Sequence, residues 1–303
     1  MESITLPGSS SGIQLSAAVV APAHPKAVVV LVHGMAEHKE RYYPLMTYLS
    51  EMGYACLVTD LRGHGATVTT PDDLGYFGKE GWKGLIQDTK SIVSYARRQF
   101  PGMKIFLLGH SMGSLIVRSF TKHNDRDIDG LVVCGSPSRN PAAGVGVFLT
   151  RCIRLFKGDR YRSAFLENLS TGSYNKKFQK EGLTNAWLST NRANVQAYNN
   201  DPLCGFRFTV NGYRGLLQLL QDTYKSSDWE PGNRELPVHF IAGGNDPCIV
   251  SIKKFSQAVS FFRSRGYRRV TSKVYAGMRH EILNETGKET VWTDLAALLD
   301  SWR

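Results

Sequence analysis

The sequence has no apolar run long enough to cross a bilayer. Its longest, such as Ala27–Val32, are strand-sized, whereas a spanning helix needs about 20 apolar residues. The start, Met1-Glu2-Ser3-Ile4-Thr5-Leu6-Pro7-Gly8, shows neither the basic residues nor the apolar stretch of a secretory leader. Cysteine is sparse and forms no pattern: Cys56, Cys134, Cys152, Cys204 and Cys248 are odd in number and include no C-x-x-C pair. A zinc knuckle or dithiol redox motif is therefore not expected. Cys56 and Cys134 sit inside apolar runs and read as small core residues. Free thiols fit a reducing compartment, so the expected location is the cytoplasm.

Acid is missing from one long stretch. Lys253, Lys254, Arg263, Arg265, Arg268, Arg269 and Lys273 follow one another with no Asp or Glu between Lys253 and Lys273, and Arg151, Arg154, Lys157, Arg160 and Arg162 are opposed only by Asp159. The net charge is +11. Such excess attracts anionic surfaces, but no nucleic-acid recognition motif accompanies it. Most of these residues are expected to be solvated surface, with no nucleic-acid partner.

What is present is alternation. Strand-like runs at Ile13–Pro22, Ala27–Val32, Tyr54–Thr59, Lys104–Leu108, Leu131–Cys134, Val238–Ala242 and Val270–Tyr275 are separated by helical patterns at Lys39–Met52, Trp82–Phe100, Ser111–His123, Ile249–Phe262 and Lys288–Trp302. This pattern predicts an α/β protein with a mostly parallel central sheet flanked by helices. The alternation breaks from about 136 to 207, where helical patches such as Val145–Phe156 appear without a strand. The expected organisation is a core of residues 1–135 and 208–303 with a helical cap inserted at 136–207. Ligands in such sheets bind beyond the carboxyl ends of the strands, so chemistry is expected in the loops after strands.

Two segments match G-x-S-x-G. Gly8-Ser9-Ser10-Ser11-Gly12 follows no expected strand and opens no helix, and reads as a flexible turn. Gly109-His110-Ser111-Met112-Gly113 follows a strand and opens a helix, the context in which the motif holds a nucleophile. Ser111 is the expected nucleophile. A serine hydroxyl needs a base, and eight histidines compete. His280 follows the last strand, at the same sheet edge and late in the chain, whereas His239 lies inside a strand. Where a serine stands on such an elbow, its partners follow in the order acid, then histidine. Asp246 follows Val238–Ala242 in a glycine-rich turn and is expected to orient His280. Asp201, before Pro202, is the rival with no strand ahead of it. An oxyanion site needs two N–H donors. These are expected from Met112, after the nucleophile, and from Met35, in the loop after Ala27–Val32.

These pieces together resemble the monoacylglycerol lipase and bacterial lysophospholipase branch of the α/β-hydrolases. The resemblance rests on His33-Gly34-Met35-Ala36-Glu37-His38 with Arg41-Tyr42, Asp60-Leu61-Arg62-Gly63-His64-Gly65, the Ser111 motif, Asp246, and Arg279-His280-Glu281-Ile282-Leu283-Asn284-Glu285. It implies an α/β-hydrolase fold with a helical cap, a Ser111–Asp246–His280 triad, Met35 and Met112 as oxyanion donors, and an acyl ester or lipid substrate. Asp60, Arg62 and His64 then read as architectural, with Arg62 bridging loops. The mammalian members resembled here carry a second glycine where this chain has Ala36.

The function expected is hydrolysis of carboxylic esters (monoacylglycerols, lysophospholipids or simple esters) through an acyl-enzyme, with no cofactor and no metal. A peptidase or amidase with the same triad stays open, and a binding protein on the same fold is the non-enzymatic alternative. An acid would stand at Ser111 in an epoxide or haloalkane hydrolase. In the cap, Val145, Phe148, Leu149, Cys152, Ile153 and Phe156 recur at helical spacing among basic residues. Phe148 and Ile153 are expected to line an acyl pocket or to meet a membrane surface.

Overall fold

A computed structural model describes residues 1–10 and 12–303. The chain runs β1 (Glu2–Pro7), β2 (Gln14–Val20), β3 (Ala27–Val32), α1 (Tyr43–Glu51), β4 (Tyr54–Thr59), α2 (Trp82–Gln99), β5 (Ile105–His110), α3 (Met112–Asn124) and β6 (Gly130–Cys134). Four helices follow without an intervening strand among the described residues: α4 (Ala143–Lys157), α5 (Ala164–Ser170), α6 (Arg192–Asn200) and α7 (Val210–Thr223). The chain closes with β7 (Val238–Gly243), α8 (Ile252–Arg263), β8 (Val270–Tyr275) and α9 (Lys288–Asp300).

The eight strands among the described residues form one sheet in the order β1-β2-β4-β3-β5-β6-β7-β8. β1 and β2 are antiparallel to their neighbours, and β4 through β8 run parallel with β3 among them. The centre is apolar on both faces, as a helix-covered parallel sheet requires: every residue of β3, β4 and β5 is buried. Val28, Val30 and Val32 pack into one core while Val29 and Leu31 pack into the other, on the opposite face of the sheet.

The expected elements are present, the strands Ala27–Val32, Tyr54–Thr59 and Val270–Tyr275 with the expected bounds and the others with shifted ends. β1 was not expected. Its alternating Ile4 and Leu6 pair with β2, register Ile4↔Ala17 and Leu6↔Leu15. The Gly8–Gly12 segment therefore does follow a strand, but it turns back into an antiparallel neighbour rather than a helix, and Ser11 lies outside the described residues. The helix expected from Lys39 is a 3-10 turn over Lys39–Tyr42 followed by α1, whose second residue is Pro44. The helix expected from Ile249 begins at Ile252, after a 3-10 turn over Pro247–Ile249.

The sheet direction reverses at β3: the chain steps outward to β4, then returns to β5 on the other side. Loops after β3 and β5 thus leave in opposite directions and open a crevice between them. Pairing of Val32 with Gly109, His110 with Cys134 and Gly243 with Tyr275 aligns the ends of β3, β5, β6, β7 and β8 along this edge.

Candidate active site

Ser111 stands between β5 and α3 at φ 53°, ψ −118°, a backbone state that costs a non-glycine residue of order 1–3 kcal/mol. The flanking glycines make the turn. A Cβ on Gly109 would lie 2.4 Å from the Gly113 carbonyl oxygen, and one on Gly113 would lie 2.1 Å from that of Val32. The Ser111 N–H is anchored on the Cys134 carbonyl at 2.9 Å.

His280 and Asp246 meet this serine. The His280 Nε2 is 2.8 Å from Ser111 Oγ, and its Nδ1 is 2.9 Å from Asp246 Oδ2. The second Asp246 oxygen accepts the Cys248 N–H at 2.8 Å, which fixes the carboxylate plane. His280 and Asp246 are buried. Trp187 packs on the His280 ring with centroids 5.0 Å apart, and Cys248 Sγ lies 3.9 Å from His280 Nε2. Sequence reasoning missed both; for Cys248 the only signal was its place two residues after Asp246. The rival Asp201 is elsewhere, paired with His38 Nε2 at 2.8 Å, and His239 bonds Thr271 inside the sheet.

Met35 and Met112 both border the cavity over Ser111. Met112 is the first residue of α3, where backbone N–H groups lack intrahelical partners. The Met35 loop is held from behind. Ala36 sits at φ 51°, a region that favours glycine, and is pinned there by three bonds. Its N–H donates to His64 Nε2 at 3.2 Å, and its carbonyl accepts from Gly205 N at 2.9 Å and Tyr198 Oη at 3.0 Å. Since His64 Nε2 accepts, its proton is on Nδ1, which donates to the Arg62 carbonyl at 3.0 Å. Burial, aided by neighbouring His33, lowers the His64 pKa to about 3. His33 is the same tautomer: Nε2 accepts from Leu61 N at 2.9 Å and Nδ1 donates to the Gly34 carbonyl at 2.8 Å. Burial lowers its pKa too.

Asp60 and Arg62 hold the loops around these histidines. Asp60 accepts from Lys39 N and Nζ and from Ala66 N. Arg62 forks onto Asp88 at 2.7 and 2.8 Å and reaches Ser9 and Glu80, so it does bridge loops.

A second network was not read from sequence. Glu37 accepts from Gly34 N at 2.6 Å, Tyr42 Oη at 3.0 Å, His110 Nδ1 at 3.2 Å and Arg41 at 3.1 Å. Burial alone would lower the His110 pKa, but the bond and charge of Glu37 outweigh it and the net shift is upward. Arg41 also forks onto Glu281 at 2.6 and 2.7 Å and reaches Asn194 of α6 at 3.0 Å. Glu285 accepts from Arg279 N and from Ser189, Thr190 and Asn191. The loop carrying His280 is thereby tied to the segment between β6 and β7. The motif placed Glu37 and Arg41 four residues apart, but the further partners of Arg41, Glu281 and Asn194, lie more than 150 residues away from it.

The cavity over Ser111 holds about 580 Å³, within the range of small-molecule sites. Its apolar wall includes Leu115, Leu149, Leu166, Leu216, Leu217 and Leu220. Phe148 and Ile153, expected to line an acyl pocket or to meet a membrane surface, do not line this cavity. On α4 the cavity face is Ala143, Val145, Gly146 and Leu149, with Val145 and Leu149 at i and i+4. Phe148 lies one residue off that face and is 62% exposed, and Ile153 packs on the core. Among the described residues, two groups bring His, Cys and Asp ligand atoms within 4.8 Å, His38–Asp201–Cys204 and Asp246–Cys248–His280. In each the histidine is already bonded to the aspartate.

A mostly parallel sheet with a serine elbow, a strand-end aspartate and a late histidine along one edge defines an α/β-hydrolase with the side chains of a serine hydrolase. The chain belongs to the family described as serine aminopeptidase, S33 (Hydrolase_4), whose profile matches residues 23–287. Among curated proteins it is 25% identical to a phospholipase, YtpA, of Bacillus subtilis (strain 168), over 92% of this chain and 96% of the relative. It is 26% identical to a monoacylglycerol lipase of Mycolicibacterium smegmatis, over 91% and 89%. The solved structure of a carboxyl esterase from Bacillus coagulans in complex with glycerol superposes with a TM-score of 0.91 at 23% identity, over 99% and 98% of the two chains. No helix among the described residues is long and apolar enough to cross a membrane.

Proposed function

We propose that the protein is a carboxylic ester hydrolase that works through an acyl-enzyme on Ser111. The observation that carries this reading is the Ser111–His280–Asp246 hydrogen-bond chain at the floor of an apolar-walled cavity of about 580 Å³. His280 Nε2 takes the Ser111 proton as Oγ attacks the ester carbonyl, and Asp246 stabilises the imidazolium through Nδ1–H. The N–H groups of Met35 and Met112 bind the oxyanion. Collapse expels the alcohol with the proton from His280. Water, activated by the same imidazole, then releases the acid. Every step uses groups of this chain.

The substrate class proposed is a monoacyl ester, such as a monoacylglycerol, a lysophospholipid or a simple ester, supported by the lipase, phospholipase and esterase names among its relatives. The family's description raises an aminopeptidase reading. Such a site needs a carboxylate for the substrate ammonium. The acids lining this cavity are Glu37, Glu167 and Glu281, and each is already paired with an arginine, Arg41 or Arg207. Ester cleavage is therefore the reading we favour. Comparing kcat/KM for a short-chain ester, a long-chain monoacylglycerol and an aminoacyl anilide, with Ser111→Ala as control, tests it. Preference for the long-chain ester supports the lipase form. Preference for the short ester replaces it with a general esterase, and preference for the anilide contradicts the proposal.

Residues 136–207 act in this reading as a cap that shapes the acyl site and meets lipid surfaces. Phe148, Leu155, Phe156, Phe165 and Leu169 are exposed on α4 and α5, with Arg151, Arg154 and Lys157 between them, the make-up of an interfacial helix. Replacing Phe148 and Phe156 with serine is expected to weaken binding to anionic vesicles, and unchanged co-sedimentation would contradict the cap's membrane role.

A further inference from the structure

The charges around the cavity are one-sided. Its three carboxylates are neutralised from outside: Arg41 holds Glu37 and Glu281 at 2.6–3.1 Å, and Arg207 holds Glu167 at 2.7 Å. Two cations also line it, Arg139 and Lys254, and neither side chain has a hydrogen-bond or ion-pair partner among the described residues. The cavity thus offers an arriving ligand unspent positive charge and no unspent negative charge.

The two cations come from segments bound to each other beside the triad. Ser138 N donates to the Cys248 carbonyl at 3.1 Å and Ser138 Oγ to the Ile249 carbonyl at 2.7 Å. Cys248 is the residue whose thiol lies against His280. Arg139 is next in the chain after Ser138. On the other segment, Val250 stands at φ 61°, ψ −49° and is 60% exposed. The Ser251 N–H closes back on the Ile249 carbonyl at 2.6 Å, a three-residue γ-turn. A β-branched side chain in this strained state calls for a compensating role. The turn leads directly into α8, where Ser251 Oγ caps the Lys254 N–H at 3.2 Å, so that the first turn of α8 carries Lys254 to the cavity.

The leucine wall on α3, α4 and α7 suits an acyl chain, which leaves the rim at Arg139 and Lys254 for the alcohol side of the ester. We propose that Arg139 and Lys254 form a subsite for a phosphate carried on that alcohol. The preferred substrate class is then a monoacyl glycerol phosphate with an anionic head group rather than a neutral monoacylglycerol. An arginine fork and a lysine point charge are both suited to phosphate oxygens. Hydrolysis breaks the acyl C–O bond: water supplies the oxygen of the released acid, and the glycerol phosphate leaves with the proton from His280. This inference rests on the ester-hydrolase reading.

The test uses hexanoyl glycerol and hexanoyl glycerol phosphate, both kept monomeric so that surface adsorption plays no part, and reads the ratio of their kcat/KM values. The ratio is insensitive to the folded fraction of each variant. The wild-type ratio is expected to favour the phosphate ester by at least tenfold at low salt and to shrink as salt rises. Arg139→Gln and Lys254→Gln should each lower it several-fold, and the double variant should bring it to about one, while Arg139→Lys retains part of it. A wild-type ratio of one or less, or a ratio unmoved in the double variant, overturns the subsite and leaves the ester-hydrolase reading standing. Hydrolysis of neither compound overturns that reading and the subsite with it.

Discussion

Replacing Asp246 with asparagine tests the hydrogen-bond chain through its proton positions rather than its shape. In the native site one carboxylate oxygen accepts from His280 Nδ1 at 2.9 Å and the other accepts the Cys248 N–H at 2.8 Å. Asparagine has one acceptor and one donor group where aspartate has two acceptors. If its oxygen faces His280, its NH2 points at the Cys248 N–H, donor against donor, in a buried turn. If it flips, the oxygen keeps Cys248 and the NH2 donates to Nδ1. The imidazole proton must then move to Nε2, the nitrogen 2.8 Å from Ser111 Oγ, and an Nε2–H cannot take the serine proton. The flipped form satisfies every buried group and should dominate. The expected cost is a fall in kcat of about 10³–10⁴, or roughly 4–5.5 kcal/mol of transition-state stabilisation. Unfolding should change by less than about 1 kcal/mol. Steady-state hydrolysis of a chromogenic butyrate ester, with thermal unfolding in parallel, measures both. A loss under tenfold in folded protein would refute the assigned proton positions.

Three further outcomes follow from the same geometry. Arg41→Ala leaves Glu37 and Glu281 buried without their shared cation and should cost about 3–5 kcal/mol in urea unfolding; a change under 1 kcal/mol would show that Arg41 does not join the loops. His33 and His64 have pKa values lowered by burial, so the unfolded chain binds their protons first. Their stability contribution is complete above the unfolded value near 6.5 and falls with pH, for His64 down to about 3, at about 1.4 kcal/mol per pH unit for each group. Urea midpoints between pH 6.5 and 5 should decline on this slope, and His64→Gln should remove one proton's share of it; an unchanged slope in that variant would contradict the assignment. Gly113→Ala sets a methyl 2.1 Å from the Val32 carbonyl oxygen and should cost about 3 kcal/mol or more, or prevent folding, read as soluble yield and unfolding midpoint; near-native stability would contradict the packing of the elbow.

The sites that could be read from sequence are those with a local signature. Ser111 stood in a strand–turn–helix with glycines whose absent side chains the turn needs, and Asp246 and His280 followed recognisable strands. The structure brings all three within hydrogen-bond distance. What stayed hidden was set by contacts distant in sequence. Arg41 meets Glu281 and Asn194 only after β8 and α6 are in place, and no spacing rule links those positions. β1 was passed over because a short edge strand carries few apolar residues: only Leu6 is fully buried in it. On α4 the apolar spacing was real but marked more than one face. Leu149 borders the cavity, Ile153 packs on the core and Phe148 is exposed, so periodicity alone could not say which residue does which.

The central claim is a covalent acyl intermediate on Ser111. The direct measurement is peptide mass spectrometry of protein acid-quenched within milliseconds of mixing with a chromogenic ester. The account predicts a burst of released alcohol and an acyl mass increment on the peptide containing Ser111, both lost in Ser111→Ala. An increment on another residue, or hydrolysis that persists in Ser111→Ala, would contradict it.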